Sequence, residues 1–242
     1  MTGHVWITGA GSGIGEALAL AMAEQGWRVM ATGRRFEPLA ALARRHDAIS
    51  PWPLDVTDCD AVSSVVSRMP APDMAILCAG THAPTPAGSF DAADVRTLVE
   101  TNLMGTVHCV AALLPGMLER GRGRLVLVAS VAGYRGLPTA AGYCAGKAGV
   151  IALAESLRLD LAGSGIDIRL VNPGFVDTPL TRKNPFPMPD IISAETAAAA
   201  ILDGLGHPGF EIAFPRRFAF AMRLLRLMPD RLYFPLIRRI TG

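Results

Sequence analysis

The chain has 242 residues, 50% of them hydrophobic and 18% charged, which excludes a disordered polar chain and gives ample material for one packed domain. A formal net charge of +2 leaves no general attraction to nucleic acid. Four scattered cysteines (Cys59, Cys78, Cys109, Cys144) make no Cys-x-x-Cys pair and the five histidines show no ligand spacing, so neither a disulfide framework nor a metal site is expected.

In chain order, His4–Thr8 reads as a first strand, which leaves no room for a cleavable leader. The turn Thr8-Gly9-Ala10-Gly11-Ser12-Gly13-Ile14-Gly15 follows it and opens a helix at Ile14–Glu24. Glycines after a strand and ahead of a helix let the backbone approach a pyrophosphate, which the helix N-terminus attracts; the plainer alternative is a tight turn needing glycine for geometry alone. A second strand, Arg28–Thr32, ends in Gly33-Arg34-Arg35, with no carboxylate before Glu37. Guanidinium groups bind a 2′-phosphate where a carboxylate would repel it, so NADP(H) is favoured over NAD(H). The competing reading has Arg34 and Arg35 only solvating the next helix.

That helix is expected at Phe36–Arg45, followed by a strand at Ile49–Leu54 and then Asp55-Val56, where an adenine ring would run. Asp55 is either an acceptor for the adenine amino group or a helix cap, with Asp58 as the rival cap. A helix at Ala61–Arg68 and a strand at Met74–Cys78 lead into Ala79-Gly80, and a long helix is expected over Ala92–Leu118. Strand Arg124–Ala129 ends at Ser130. The helix at Tyr143–Ala162 begins with Tyr143-Cys144-Ala145-Gly146-Lys147, which sets a phenol and an ammonium on one helix face. Strand Asp167–Val171, the proline-rich loop Thr178–Ile192, helix Ala194–Leu205 and strand Glu211–Phe214 complete the series. Strands alternating with helices argue a single α/β domain, a doubly wound parallel sheet with helices on both faces. No apolar run reaches about 18 residues, so no spanning helix is expected.

A free phenol titrates near 10, too high for easy proton exchange at neutral pH. A lysine one turn away, beside a positive nicotinamide, is expected to lower that value, while Ser130 holds a carbonyl or hydroxyl oxygen toward the phenol. Proton transfer beside a hydride carrier is ketone and alcohol redox chemistry.

These motifs resemble the short-chain dehydrogenase/reductase family over about residues 3–214: Thr-Gly-x-x-x-Gly-x-Gly at Thr8–Gly15, and Ser130 with Tyr143-x-x-x-Lys147. The resemblance implies a Rossmann-type fold of about seven strands in the order 3-2-1-4-5-6-7, and NADP(H) held by Gly9, Ser12, Gly13, Ile14, Gly15, Arg34, Arg35, Asp55, Val56, Ala79 and Gly80. It extends that set to Tyr143 and Lys147, the latter also anchoring ribose, and to Pro173, Gly174, Val176 and Thr178 beside the nicotinamide. It also implies a catalytic tetrad of Asn102, Ser130, Tyr143 and Lys147, with Asn102 organising a proton relay. The family usually shows Asn-Asn-Ala-Gly after strand four; Leu77-Cys78-Ala79-Gly80 lacks the asparagine pair that braces the central strand.

The expected activity is NADPH-dependent reduction of a small carbonyl compound, reversible as alcohol oxidation, in the cytoplasm. The substrate would meet Ser130, Tyr143, Leu137, Phe186 and Met188, whose apolar members, with Ile191, point to an apolar ligand. The rival readings are a non-catalytic NADP(H)-binding regulator, which would ordinarily lose Tyr or Lys, and a membrane-surface scaffold. A homodimer or tetramer through the two long helices is implied by the resemblance, and Ala148, Ala152, Leu153 and Ser156 suit close helix approach. Residues 215–242 form an extension to the 1–214 domain, split by Pro229 into two short helices rich in arginine. Its apolar residues either pack on the body or a partner subunit, or form a basic anchor making peripheral contact with an anionic membrane.

Overall fold

The computed structural model describes residues 3–183 and 188–241. Seven parallel strands form the central sheet in the order β3-β2-β1-β4-β5-β6-β9. In chain order they are β1 His4–Thr8, β2 Arg28–Gly33, β3 Ile49–Pro53, β4 Met74–Leu77, β5 Gly123–Val128, β6 Ile166–Pro173 and β9 Glu211–Phe214. This is the expected order, with the seventh sheet strand numbered β9 because Val176–Asp177 (β7) and Ile192–Ser193 (β8) pair as a small separate ribbon. That ribbon pins both ends of the segment expected to be a loop over 178–192.

The two-residue period of the strands divides the interior into two cores. Val5 and Ile7 of β1, with Val126 and Val128 of β5, pack under α1 (Gly13–Glu24), α2 (Phe36–Ala43) and α7 (Ala194–Gly206). Trp6, Leu125 and Leu127 face the other way, under α3 (Cys59–Arg68), α5 (Gly105–Arg120) and α6 (Ala141–Asp160). Each fully buried aliphatic side chain contributes roughly 1.5–3 kcal/mol, so both faces must be covered.

The helix expected over 92–118 is α4 (Ala92–Val99) and α5 joined by a π-helical turn at Glu100–Met104. The wide turn has a local cause: the Asn102 amide donates to the Leu98 carbonyl at 2.8 Å, taking an acceptor of the regular ladder. This composite, Ala92–Arg120, is long and apolar enough to cross a membrane by length and composition alone, unlike the expectation from uninterrupted apolar runs. Here it packs through α4 against α6 and through α5 against α3. The last residues form α8 (Arg216–Leu227) and α9 (Asp230–Thr241), separated at Pro229. Strand order reverses between β1 and β4, opening a crevice at their carboxyl ends.

Candidate active site

A cavity of about 550 Å³ occupies that crevice. Its floor at one end is the β1–α1 turn. Gly9 has φ +72°, and a Cβ at Gly15 would lie 2.4 Å from the Gly9 carbonyl oxygen, so this turn closes only with glycine at both positions. Ser12 stands at the N-cap of α1 with no side-chain capping bond, leaving the first-turn N–H groups and its hydroxyl to meet an anion. Gly9, Ser12, Gly13, Ile14 and Gly15 all line the cavity.

Arg34 and Arg35 line the same cavity at the end of β2. Both are exposed, and among the described residues neither makes an ion pair. Asp55, Val56, Ala79 and Gly80 line the wall between the two ends. Asp58, not Asp55, caps α3, accepting the Ala61 N–H at 2.9 Å. Asp55 Oδ1 instead accepts from the Thr57 N–H and hydroxyl. Pro173, Gly174, Val176 and Thr178 close the opposite wall, where the Thr178 N–H donates to Thr181 Oγ1 at 3.0 Å.

Asn102, Ser130, Tyr143 and Lys147 meet at the other end. Ser130 leaves β5, its hydroxyl donating to the Pro173 carbonyl at 3.3 Å and accepting the Ala132 N–H at 3.1 Å. The Lys147 ammonium donates to the Val128 carbonyl at 2.9 Å and stands 5.9 Å from the Tyr143 ring centre. Asn102 is fully buried; its amide donates to the Thr81 carbonyl at 2.9 Å and accepts the Thr81 N–H at 3.1 Å. Thr8 Oγ1 accepts the Ala79 N–H at 3.1 Å. The chain after β4 is thus braced by Asn102 and Thr8, although Leu77 and Cys78 stand where the family usually has an asparagine pair.

Burial dominates the electrostatics of the pair. Burial pushes the Tyr143 phenol up to about 12, and the Ser130 hydrogen bond acts downward. Burial brings Lys147 down to about 8, with Cys78 acting weakly the other way. The ammonium is bound to a backbone carbonyl, and burial is the largest influence on both groups. The result is a neutral phenol and a cation at neutral pH, a pair suited to giving a proton.

Leu137 and Met188 lie outside the residues that line this cavity, Leu137 packing on the core, and Phe186 lies outside the described residues. Pro179, Leu180 and Thr181, in the loop expected over 178–192, also line it; sequence reasoning passed over Thr81, which lines it too, and His82, whose ring meets Tyr143 edge-on at 4.9 Å. The proximity of Thr81 to Gly80 was the only available signal; His82 carried none.

A nucleotide-shaped cradle running into a Ser-Tyr-Lys proton-transfer site defines an α/β oxidoreductase. The family model described as short chain dehydrogenase matches residues 3–186, and the chain belongs to that family. It is 38% identical over 242 residues to an uncharacterized oxidoreductase of Myxococcus xanthus, covering 97% of this chain and 96% of the relative. It is also 38% identical to sulfoacetaldehyde reductase 2 of Chromohalobacter salexigens, over 75% of each protein. A short chain dehydrogenase from Burkholderia cenocepacia, solved in complex with NADP, superposes with a TM-score of 0.85 at 28% identity, covering 100% of this chain and 98% of the other.

Proposed function

We propose that the chain is an NADP(H)-dependent carbonyl reductase, reversible as an alcohol dehydrogenase. The observation that carries this reading is one continuous cavity with Arg34 and Arg35 at one end and Ser130, Tyr143 and Lys147 at the other. The residues fit the cofactor. The uncapped start of α1 suits its pyrophosphate, the two guanidinium groups suit a 2′-phosphate, and the wall from Pro173 to Thr178 suits the nicotinamide. The Burkholderia cenocepacia neighbour solved with NADP supports the same choice.

NADPH, when bound, supplies the hydride that the carbonyl carbon accepts. Ser130 donates a hydrogen bond to the carbonyl oxygen and holds it toward the phenol. The Tyr143 hydroxyl gives its proton to that oxygen as negative charge develops there. The Lys147 ammonium stabilises the phenolate left behind and reaches ribose hydroxyls, and Asn102 supports the relay that returns a proton to Tyr143. In alcohol oxidation the same groups work in reverse.

The substrate is a ketone, an aldehyde or the matching alcohol. Leu137 and Met188 lie off the cavity and so argue for no apolar substituent, and the sulfoacetaldehyde reductase relative favours including small anionic aldehydes in any screen. Residues 1–214 form the catalytic unit, in the cytoplasm, and 215–242 an added two-helix segment. A panel of carbonyl compounds with NADPH oxidation as readout tests the activity. Tyr143→Phe should then abolish turnover and leave NADPH affinity near that of wild type, since only the phenolic proton is lost. Turnover in that variant above about a tenth of wild type, a loss well short of the roughly 10²-fold typical of a missing acid, would sink the assignment.

A further inference from the structure

Between Ser130 and α6 runs the loop Val131–Ala140, and the C-terminal helices hold it at two points. The Arg135 side chain, only 17% exposed, donates to the carbonyls of Leu225 (3.0 Å) and Met228 and to the Asp230 carboxylate. It also lies 3.8 Å from the centre of the Tyr233 ring. One guanidinium thereby binds two carbonyls at the end of α8, of which that of Leu225 also takes the Met228 N–H, and fastens the start of α9. Tyr233 is buried and its hydroxyl donates back to the Gly136 carbonyl at 2.6 Å.

The second point is one residue earlier. The Tyr134 hydroxyl donates to Glu211 of β9, whose carboxylate also takes the Asn172 amide at 2.6 Å and the Arg223 guanidinium of α8 at 2.7 Å. Asn172 directly precedes Pro173, whose carbonyl accepts the Ser130 hydroxyl. Ser130 is therefore tied to the tail along two routes, forward through its loop and sideways through β6. Neither route includes a residue of the cradle formed by Gly9–Gly15 and Arg34.

We propose that Arg135 and Glu211 are positioning residues, docking α8 and α9 onto the Ser130–Tyr143 loop so that the tail sets the geometry of the proton-transfer pair. This rests on the carbonyl-reductase reading above. Charge-assisted bonds to several partners hold a loop more tightly than apolar contact does, and displacement by about 1 Å at a reacting centre costs up to 10²-fold in rate. Extra stability alone would be a different role, and the two separate experimentally.

The test compares full-length wild type with Arg135→Ala, Arg135→Lys and Glu211→Gln. Three quantities are read: NADPH bound per chain with its Kd, hydrogen exchange of the 131–142 peptides, and kcat with KM for a carbonyl found active on wild type. In Arg135→Ala, NADPH should bind one per chain with little change in Kd, exchange over 131–142 should rise, and kcat per bound NADPH should fall about tenfold or more. Arg135→Lys should recover part of that loss. Glu211→Gln keeps its acceptor oxygen for Tyr134 and loses the ion pair with Arg223, so it should show the same pattern more weakly. If Arg135→Ala fails to fold, Glu211→Gln and Arg135→Lys carry the test. Unchanged exchange over 131–142, or a lower binding-competent fraction with unchanged kcat per bound NADPH, would overturn the proposal. If wild type reduces no carbonyl, the reductase reading fails, while the exchange measurement still decides whether the tail holds the loop.

Discussion

Lys147 carries a charge into the interior, where only 4% of the residue is exposed and the ammonium has the Val128 carbonyl as its hydrogen-bond partner. Burial lowers its pKa from 10.5 to about 8. The folded value lies below the unfolded one, so between pH 8 and 10.5 the unfolded chain binds the extra proton and stability rises with pH. Below pH 8 both states are protonated and the whole burial cost, about 3 kcal/mol, is present. Lys147→Met should therefore be at least as stable as wild type at pH 7 while losing most of its activity. Its advantage should shrink as pH rises from 8 to 10.5. Thermal unfolding of both proteins across that range checks this, and a variant equally less stable at every pH would refute it. The Tyr-x-x-x-Lys register in the sequence placed both groups in the cavity. It did not reveal that the ammonium would bind a strand carbonyl, because Val128 lies 19 residues away in sequence. Burial is what raises the Tyr143 phenol.

At the scale of elements, strand and helix alternation was legible because the apolar runs are short, buried on both faces and punctuated by glycine and proline. The Rossmann-type order followed from the motifs. The π-turn at Glu100–Met104 was not legible, since it depends on Asn102 forsaking the regular ladder for Leu98 and for Thr81, 21 residues distant. The β7–β8 ribbon was missed for a similar reason: two-residue strands carry no period. Asn102→Leu keeps much of the volume and removes both bonds to Thr81. Leaving the Thr81 N–H and carbonyl without this partner should cost about 1–3 kcal/mol, read as a lower denaturation midpoint, with turnover reduced as the segment after β4 loosens. An unchanged midpoint would show that Asn102 does not brace that segment.

For the molecule as a whole, two exposed surfaces differ in chemistry. On α6, Ala148, Ala152 and Ser156 are exposed and Leu159 is 77% exposed, a narrow apolar strip of the kind two copies can share; we propose a homodimer there, and light scattering at micromolar concentration should give the mass of two chains, not one. The tail is different. Its inner face is already used, with Ala219, Met222, Tyr233 and Ile237 buried. Its outer face shows Phe220, Leu224 and Leu227 at successive turns of α8, each more than half exposed, and Leu232, Phe234 and Ile240 on α9. Six arginines (216, 217, 226, 231, 238, 239) accompany them, the tail's seventh, Arg223, being paired with Glu211, and the tail holds one acid, Asp230, in a chain whose net charge is only +2. A second copy would bring the same arginines together, so like charge disfavours self-pairing through this face. An anionic membrane surface supplies both an apolar boundary and the opposite charge, with each arginine adding about 1 kcal/mol. We therefore expect the protein to co-sediment with phosphatidylglycerol vesicles at low salt and to be released by added salt. Leu224→Asp with Leu227→Asp should abolish that binding and leave NADPH affinity intact, because the inner face and its hold on Arg135 are untouched. If the intact protein ignores such vesicles at low salt, the outer face is no membrane contact, and the tail's work is confined to the loop it grips.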